Sequence, residues 1–78
     1  MSKMRNIGKV SQQWLYEIEI YSLPDLQTCG AARAFSLIRS RHPQASLNLL
    51  WALEGAILEV DWRTLSEDQK AELRRQIR

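Results

Sequence analysis

The sequence predicts an α+β domain with the element order β-α-β-β-α, in which helices pack on one face of a small antiparallel sheet. Residues 14–22 alternate in polarity, residues 47–62 sort their side chains best as a hairpin, and two segments carry helix-start signals. The 78 residues make one domain, which we place at 11–78, with 1–10 as a flexible arm or a short extra strand.

The first strand is predicted over residues 14–22. One face would carry Trp14, Tyr16, Ile18 and Ile20, and the other face would carry Leu15, Glu17, Glu19 and Tyr21. Aromatic and β-branched residues that recur with a period of two are typical of a strand.

The first helix is predicted to begin at Ser22, because a serine, an early proline and Asp25 together form a helix-start signature. Gly30 weakens this helix by about 1 kcal/mol relative to alanine, which allows its regular part to begin as late as Thr28. Pro43 ends it, since the residue before a proline is disfavoured in the α conformation.

Residues 47–62 are predicted to form a hairpin that turns at Glu54 and Gly55. In this register the paired residues on one face are Leu53 with Ala56, Trp51 with Leu58, Leu49 with Val60, and Leu47 with Trp62. A single buried helix is the alternative, but it would scatter Asn48, Glu54, Glu59 and Asp61 over two sectors of its surface.

The last helix follows a capping box, Ser66 to Gln69, and has a narrow apolar stripe. The resulting order resembles a split β-α-β, ferredoxin-like topology that lacks its last strand. This resemblance implies a sheet in the order 2-3-1 whose first strand has an open edge, covered by residues 1–10 or by a second subunit.

The composition gives little support for a catalytic or metal-binding function. One cysteine and one histidine exclude an intramolecular disulfide and a protein-ligated zinc site, and we expect no cofactor. Cys29 and His42 are thirteen positions apart on one predicted helix, roughly 20 Å, which is too far for a dyad. A metal-dependent nuclease built on Glu17 and its neighbouring acids is the remaining enzymatic alternative. With no signal peptide and no long apolar run, the chain is expected in the cytoplasm.

The function we expect is that of a small, non-enzymatic regulatory or accessory protein, such as an inhibitor of the phage or mobile-element type. It would act by protein–protein contact and form a homodimer. Its docking surface would be the outer sheet face, where acids surround apolar side chains. The residues of this predicted surface are Leu15, Glu17, Glu19, Tyr21, Leu50, Ile57, Glu59 and Asp61.

Nucleic-acid binding, of RNA in particular, is the alternative function. The net charge of +2 does not by itself imply it, but the first helix and the C-terminal segment are rich in arginine. Basic side chains that are grouped in this way can neutralise backbone phosphates. The candidate residues are Arg33, Arg39, Arg41, Arg74, Arg75 and Arg78.

Overall fold

The computed structural model describes residues 7–77, and over this range it contains helices and no strand. The predicted α+β class, with its antiparallel sheet and ferredoxin-like topology, is therefore wrong. The elements are α1 (Lys9–Glu17), α2 (Leu23–Cys29), α3 (Ala31–Arg41), α4 (Leu47–Leu58), a 3-10 turn (Trp62–Thr64) and α5 (Glu67–Gln76).

The centre of the fold is formed by α3 and α4, which pack against each other. Helix α3 also contacts α1, α2 and α5, while α4 contacts α2 and the 3-10 turn. The largest fully buried side chains include Phe35 and Ile38 from α3 and Leu50 and Leu53 from α4. Helices α3 and α4 are therefore fixed in place by the best-packed part of the molecule, and so are the residues on their outward sides.

The predicted first strand is the end of α1 and the turn that follows it. Leu15 is fully buried while Trp14 and Ile18 are half-buried, a spacing of one and three residues that fits a helix face. The apparent alternation arises because residues 14–22 begin inside α1 and continue into the non-helical segment at Ile20 and Tyr21. The end of a helix and the non-helical segment after it thus together produce an alternation in polarity that resembles a strand.

The predicted hairpin is the single helix α4, and Gly55, proposed as a turn residue, is buried within it. A helix that is covered on most sides is apolar nearly all round and shows no clear amphipathic stripe. Glu59 and Asp61, whose positions disfavoured a helix, both lie beyond its last residue, Leu58.

The predicted start and end signals around the first helix are present in the structure. Ser22 Oγ accepts the backbone N–H of Asp25 at 3.4 Å, and α3 ends at Arg41, ahead of Pro43. Gly30 nevertheless divides the predicted first helix into α2 and α3, since its φ of +88° is not helical.

The predicted capping box of α5 is confirmed. Ser66 Oγ accepts the N–H of Gln69 at 3.1 Å, and the Ser66 N–H donates to Gln69 Oε1 at 2.7 Å. This box satisfies two of the backbone donors that a helix start leaves unpaired, so α5 begins where its sequence indicates.

The predicted arm, 1–10, lies only partly within the described range, because residues 1–6 fall outside it. Ile7 is half-buried against the core, and Lys9 and Val10 belong to α1. None of the described helices combines the length and apolar character needed to cross a bilayer.

Candidate functional site

The predicted partner-binding residues do not form one exposed face. Leu15 and Leu50 are fully buried and help to hold the core together. Ile57 is half-buried near the end of α4, and Tyr21 is exposed in the segment between α1 and α2. The predicted docking surface required a sheet, and without a sheet its residues separate between the core and the ends of two helices.

The four acids of that predicted set have local structural positions. Glu19 and Glu59 follow α1 and α4 with positive φ angles of 65° and 57°. Asp61 precedes the 3-10 turn, where its carboxylate accepts the N–H of Arg63 at 2.9 Å and pairs with the Arg63 guanidinium at 2.8 Å. Glu17 Oε1 lies 2.8 Å from His42 Nε2.

His42 therefore does more than cap α3. Its ring stacks on Trp14, with ring centroids 4.6 Å apart and an interplanar angle of 17°. Together with Glu17, this contact ties the end of α3 to α1. Cys29 ends α2 whereas His42 follows α3, so the two residues do not share a helix as predicted. No group of three potential metal ligands occurs within residues 7–77.

A shallow groove of about 380 Å³ lies beside Trp14 and runs between α1 and the start of α4. Trp62 and Val10 also line it, and its remaining lining is a mixture of small apolar and uncharged polar side chains. Without a charged group in its wall, the groove offers general apolar contact and no residue with acid–base chemistry.

The arginines of α3 remain exposed and form no ion pair among the described residues. The helix itself contains no acid, but Glu19 and Asp25 line a shallow groove together with Arg33. Arg33 and Arg41 lie two helical turns apart on one side, whereas the Arg39 guanidinium lies 5.6 Å from the centre of the Phe35 ring. Only part of the predicted basic strip therefore faces in one direction.

The C-terminal arginines do not extend this strip uniformly. Arg75 forms an ion pair with Glu72 of the same helix, and Arg74 is exposed. Arg78 lies outside the described residues. Helix α3 is thus the main concentration of unpaired positive charge in the part of the chain that the structure describes.

One side of α4 carries an exposed leucine at each end of the helix and one half-exposed acid, while Trp51 on the same side is buried. Leu47 and Leu58 are 38% and 45% exposed, and Glu54 lies between them, seven residues after Leu47 and four before Leu58. Residues with these spacings share one side of a helix, which here extends about 16 Å. We call Leu47, Glu54 and Leu58 the α4 surface.

Glu54 is half-buried and makes no hydrogen bond or ion pair within the described range. Burial raises the pKa of its carboxyl group, because loss of water destabilises the charged form. Lys70, from α5, does not pair with Glu54: it lies over the Trp51 ring, 5.7 Å from its centre, and 3.9 Å from the Glu67 carboxylate. An unpaired, partly desolvated carboxylate is an unfavourable feature that a basic group from outside could compensate.

The sequence pattern does not indicate the α4 surface, because it predicts Glu54 to be a turn residue. Once α4 is recognised as a helix, the positions 47, 54 and 58 fall on one side and would have indicated the surface. The exposure of these leucines could not be inferred, because it depends on which sides of α4 the neighbouring helices cover.

Comparison with known proteins identifies the family. The model of the family described as the TfoX C-terminal domain matches residues 1–77, while no curated protein matches the chain. An uncharacterised Listeria monocytogenes protein in a triclinic crystal form is 35% identical, with a TM-score of 0.88 over 92% of this chain and 82% of that one. A Listeria monocytogenes protein of unknown function in a tetragonal form is 34% identical, with a TM-score of 0.89 over 97% and 94%. This chain therefore belongs to the TfoX C-terminal domain family.

Proposed function

We propose that this chain is a non-enzymatic accessory domain that binds a protein partner through the α4 surface. The observation that carries the proposal is the unpaired Glu54 between two exposed leucines on a firmly packed helix. Exposed apolar area stabilises a complex when it is buried, and a charged group within it selects the partner.

The chemistry of the α4 surface defines the partner that it fits. A basic side chain flanked by apolar ones would neutralise Glu54 and cover Leu47 and Leu58 at the same time. The proposed mechanism is steric, since a bound domain masks the partner's surface and acts as a regulator or inhibitor without turnover. We propose that this partner binding takes place in the cytoplasm.

The test is comparative capture with a surface variant. The double variant Glu54→Lys and Leu58→Ser should lose at least about tenfold of the bound partner, because it repels the basic group and removes apolar contact. Tagged wild-type and variant domains would be exposed to nuclease-treated lysate, and the retained proteins quantified by mass spectrometry.

A matched control is Asp68→Lys, which reverses an exposed charge in the first turn of α5. Both variant proteins should retain the helical far-ultraviolet circular dichroism of the wild type. A partner that binds the wild type and the α4 variant equally would exclude the α4 surface as its binding site.

Nucleic-acid binding is a second candidate, and the unpaired arginines of α3 favour it. Phosphates attract cations that are not engaged in an ion pair, and each phosphate neutralised on duplex DNA contributes about 0.9 to the salt dependence of binding. Arg33 and Arg41 are about 12 Å apart along the helix, far enough to contact two different backbone phosphates.

Replacing Arg33, Arg39 and Arg41 with alanine should weaken such binding and reduce the logarithmic salt slope by about one for each lost contact. Fluorescence anisotropy with labelled DNA and RNA at several salt concentrations measures both quantities. Replacing Arg75, which is already paired with Glu72, should have a smaller effect. Equal slopes for the wild type and the triple variant would rule out this use of α3.

A further inference from the structure

The outward side of α3 carries a row whose chemistry is the reverse of the α4 surface. Arg33, Leu37 and Arg41 follow one another at intervals of four residues, so they lie along one side of the helix. Leu37 is 41% exposed, and neither arginine of the row forms an ion pair within residues 7–77. We call these three residues the α3 row.

The α3 row and the α4 surface are complementary in charge and in apolar character. The row places one leucine between two cations, whereas the α4 surface places one acid between two leucines. A guanidinium can form a two-pronged ion pair with a carboxylate, and such pairs are strongest where water is partly excluded. The half-buried Glu54 is in that kind of environment.

Within one chain the two surfaces do not pair. Helices α3 and α4 pack through their inner sides, with Phe35 and Ile38 against the same core as Leu50 and Leu53. Glu54 consequently has no basic partner from its own α3. The α3 row of a second copy can contact Glu54, whereas the α3 row of the same chain does not.

We infer that the partner of the α4 surface is a second copy of this chain, which docks its α3 row on Leu47, Glu54 and Leu58. The inference rests on the proposed function and names its partner. The contact pairs Arg33 or Arg41 of one copy with Glu54 of the other and buries Leu37 between the leucines of α4. Added salt weakens it, because its specificity comes from charge.

The test is a charge exchange measured by sedimentation velocity. The wild type is expected to self-associate reversibly between about 1 μM and 1 mM, the range of weak specific contacts. Glu54→Arg alone, and the double variant Arg33→Glu with Arg41→Glu alone, should each weaken association at least about tenfold, because each then opposes like charges. An equimolar mixture of the two should associate again, because the exchanged charges match.

Asp68→Arg serves as the control and should associate like the wild type. Circular dichroism verifies that every variant keeps its helices. Leu37→Ser provides an uncharged variant that should also weaken association. A wild type that stays monomeric over this range, or a mixture that fails to recover, overturns the inference.

The same experiments separate this inference from the proposed function. A monomeric wild type whose captured partner is lost in the α4 variant keeps the proposed function and replaces the second copy with another protein. If nuclease treatment abolishes all association, a bridging nucleic acid held the copies together, and the direct contact is overturned.

Discussion

Replacing Gly30 with alanine should lower the free energy of unfolding by about 2 kcal/mol, and with it the melting temperature by on the order of 10 °C. Gly30 joins α2 to α3 with φ +88° and ψ 148°, a region that residues with a Cβ rarely adopt. Nothing lies within 4 Å of where a Cβ would be placed. The loss therefore comes from the backbone and not from a clash.

Gly8 offers a control of the same kind. It also precedes a helix, and nothing lies within 4 Å of the position that a Cβ would occupy, but its φ of −85° suits any residue. Gly8→Ala should change the free energy of unfolding by less than about 1 kcal/mol, because weaker capping is offset by a less flexible unfolded chain. Urea denaturation of both variants measures the difference. Equal losses at the two positions would show that the φ of Gly30 does not limit stability.

The junction between α2 and α3 also determines the position of the α3 row. Gly30 sets where α3 begins, and α3 presents Arg33, Leu37 and Arg41 from its first turn to its last. A variant that strains this junction should therefore disturb both the α3 row and the packing of α3 on α4. Gly30→Ala is for that reason unsuitable as a test of binding, and the surface variants are preferable.

Local signals in the sequence predicted the helix ends that are marked by side-chain caps. Ser22 and Ser66 begin helices as expected, and Pro43 follows the end of α3. These features depend on residues within one turn, so no tertiary information is needed. The α3 arginines are exposed, as charged residues on the outward side of a helix generally are.

The fold class could not be predicted because the usual glycine signals are displaced. Gly55 lies inside α4, where a glycine suggests a turn, and Gly30 divides a segment that reads as one helix. The positions just after α1 and α4, where glycine commonly marks the end of a helix, are occupied by Glu19 and Glu59. The pattern therefore favoured a strand and a hairpin where the chain forms two helices.

The α4 surface could not be predicted for the same reason, namely that residues 47–62 read as a hairpin. With a hairpin at 47–62, Glu54 becomes a turn residue and the α4 surface does not exist. The buried positions of Leu15 and Leu50 follow from the packing of helices that are distant in sequence, which periodicity over a short window cannot reveal.

Replacing both Glu19 and Glu59 with glycine should raise the free energy of unfolding by about 2 kcal/mol, roughly 1 kcal/mol at each position. Each glutamate has a positive φ in a helix-ending motif that glycine adopts without strain. After α1, the N–H groups of Glu19 and Ile20 donate to Tyr16 and Leu15 carbonyls at 3.0 and 2.9 Å.

The same pair of hydrogen bonds ends α4. The N–H groups of Glu59 and Val60 donate to the carbonyls of Ala56 and Gly55 at 3.1 and 2.9 Å. Because neither bond uses the glutamate side chain, glycine can keep both while removing the strain. The two positions follow different helices, so we expect their effects to add.

Glu72→Gly is the opposing control, since it places glycine inside α5 and also removes the ion pair with Arg75. It should lower the free energy of unfolding by about 1 kcal/mol. Urea denaturation of the single and double variants gives each value. A double variant no more stable than the wild type would mean that the glutamates gain something from their side chains that offsets the strain. In that case the association assay, repeated with Glu59→Gly, would show whether this acid next to Leu58 contributes to the α4 surface.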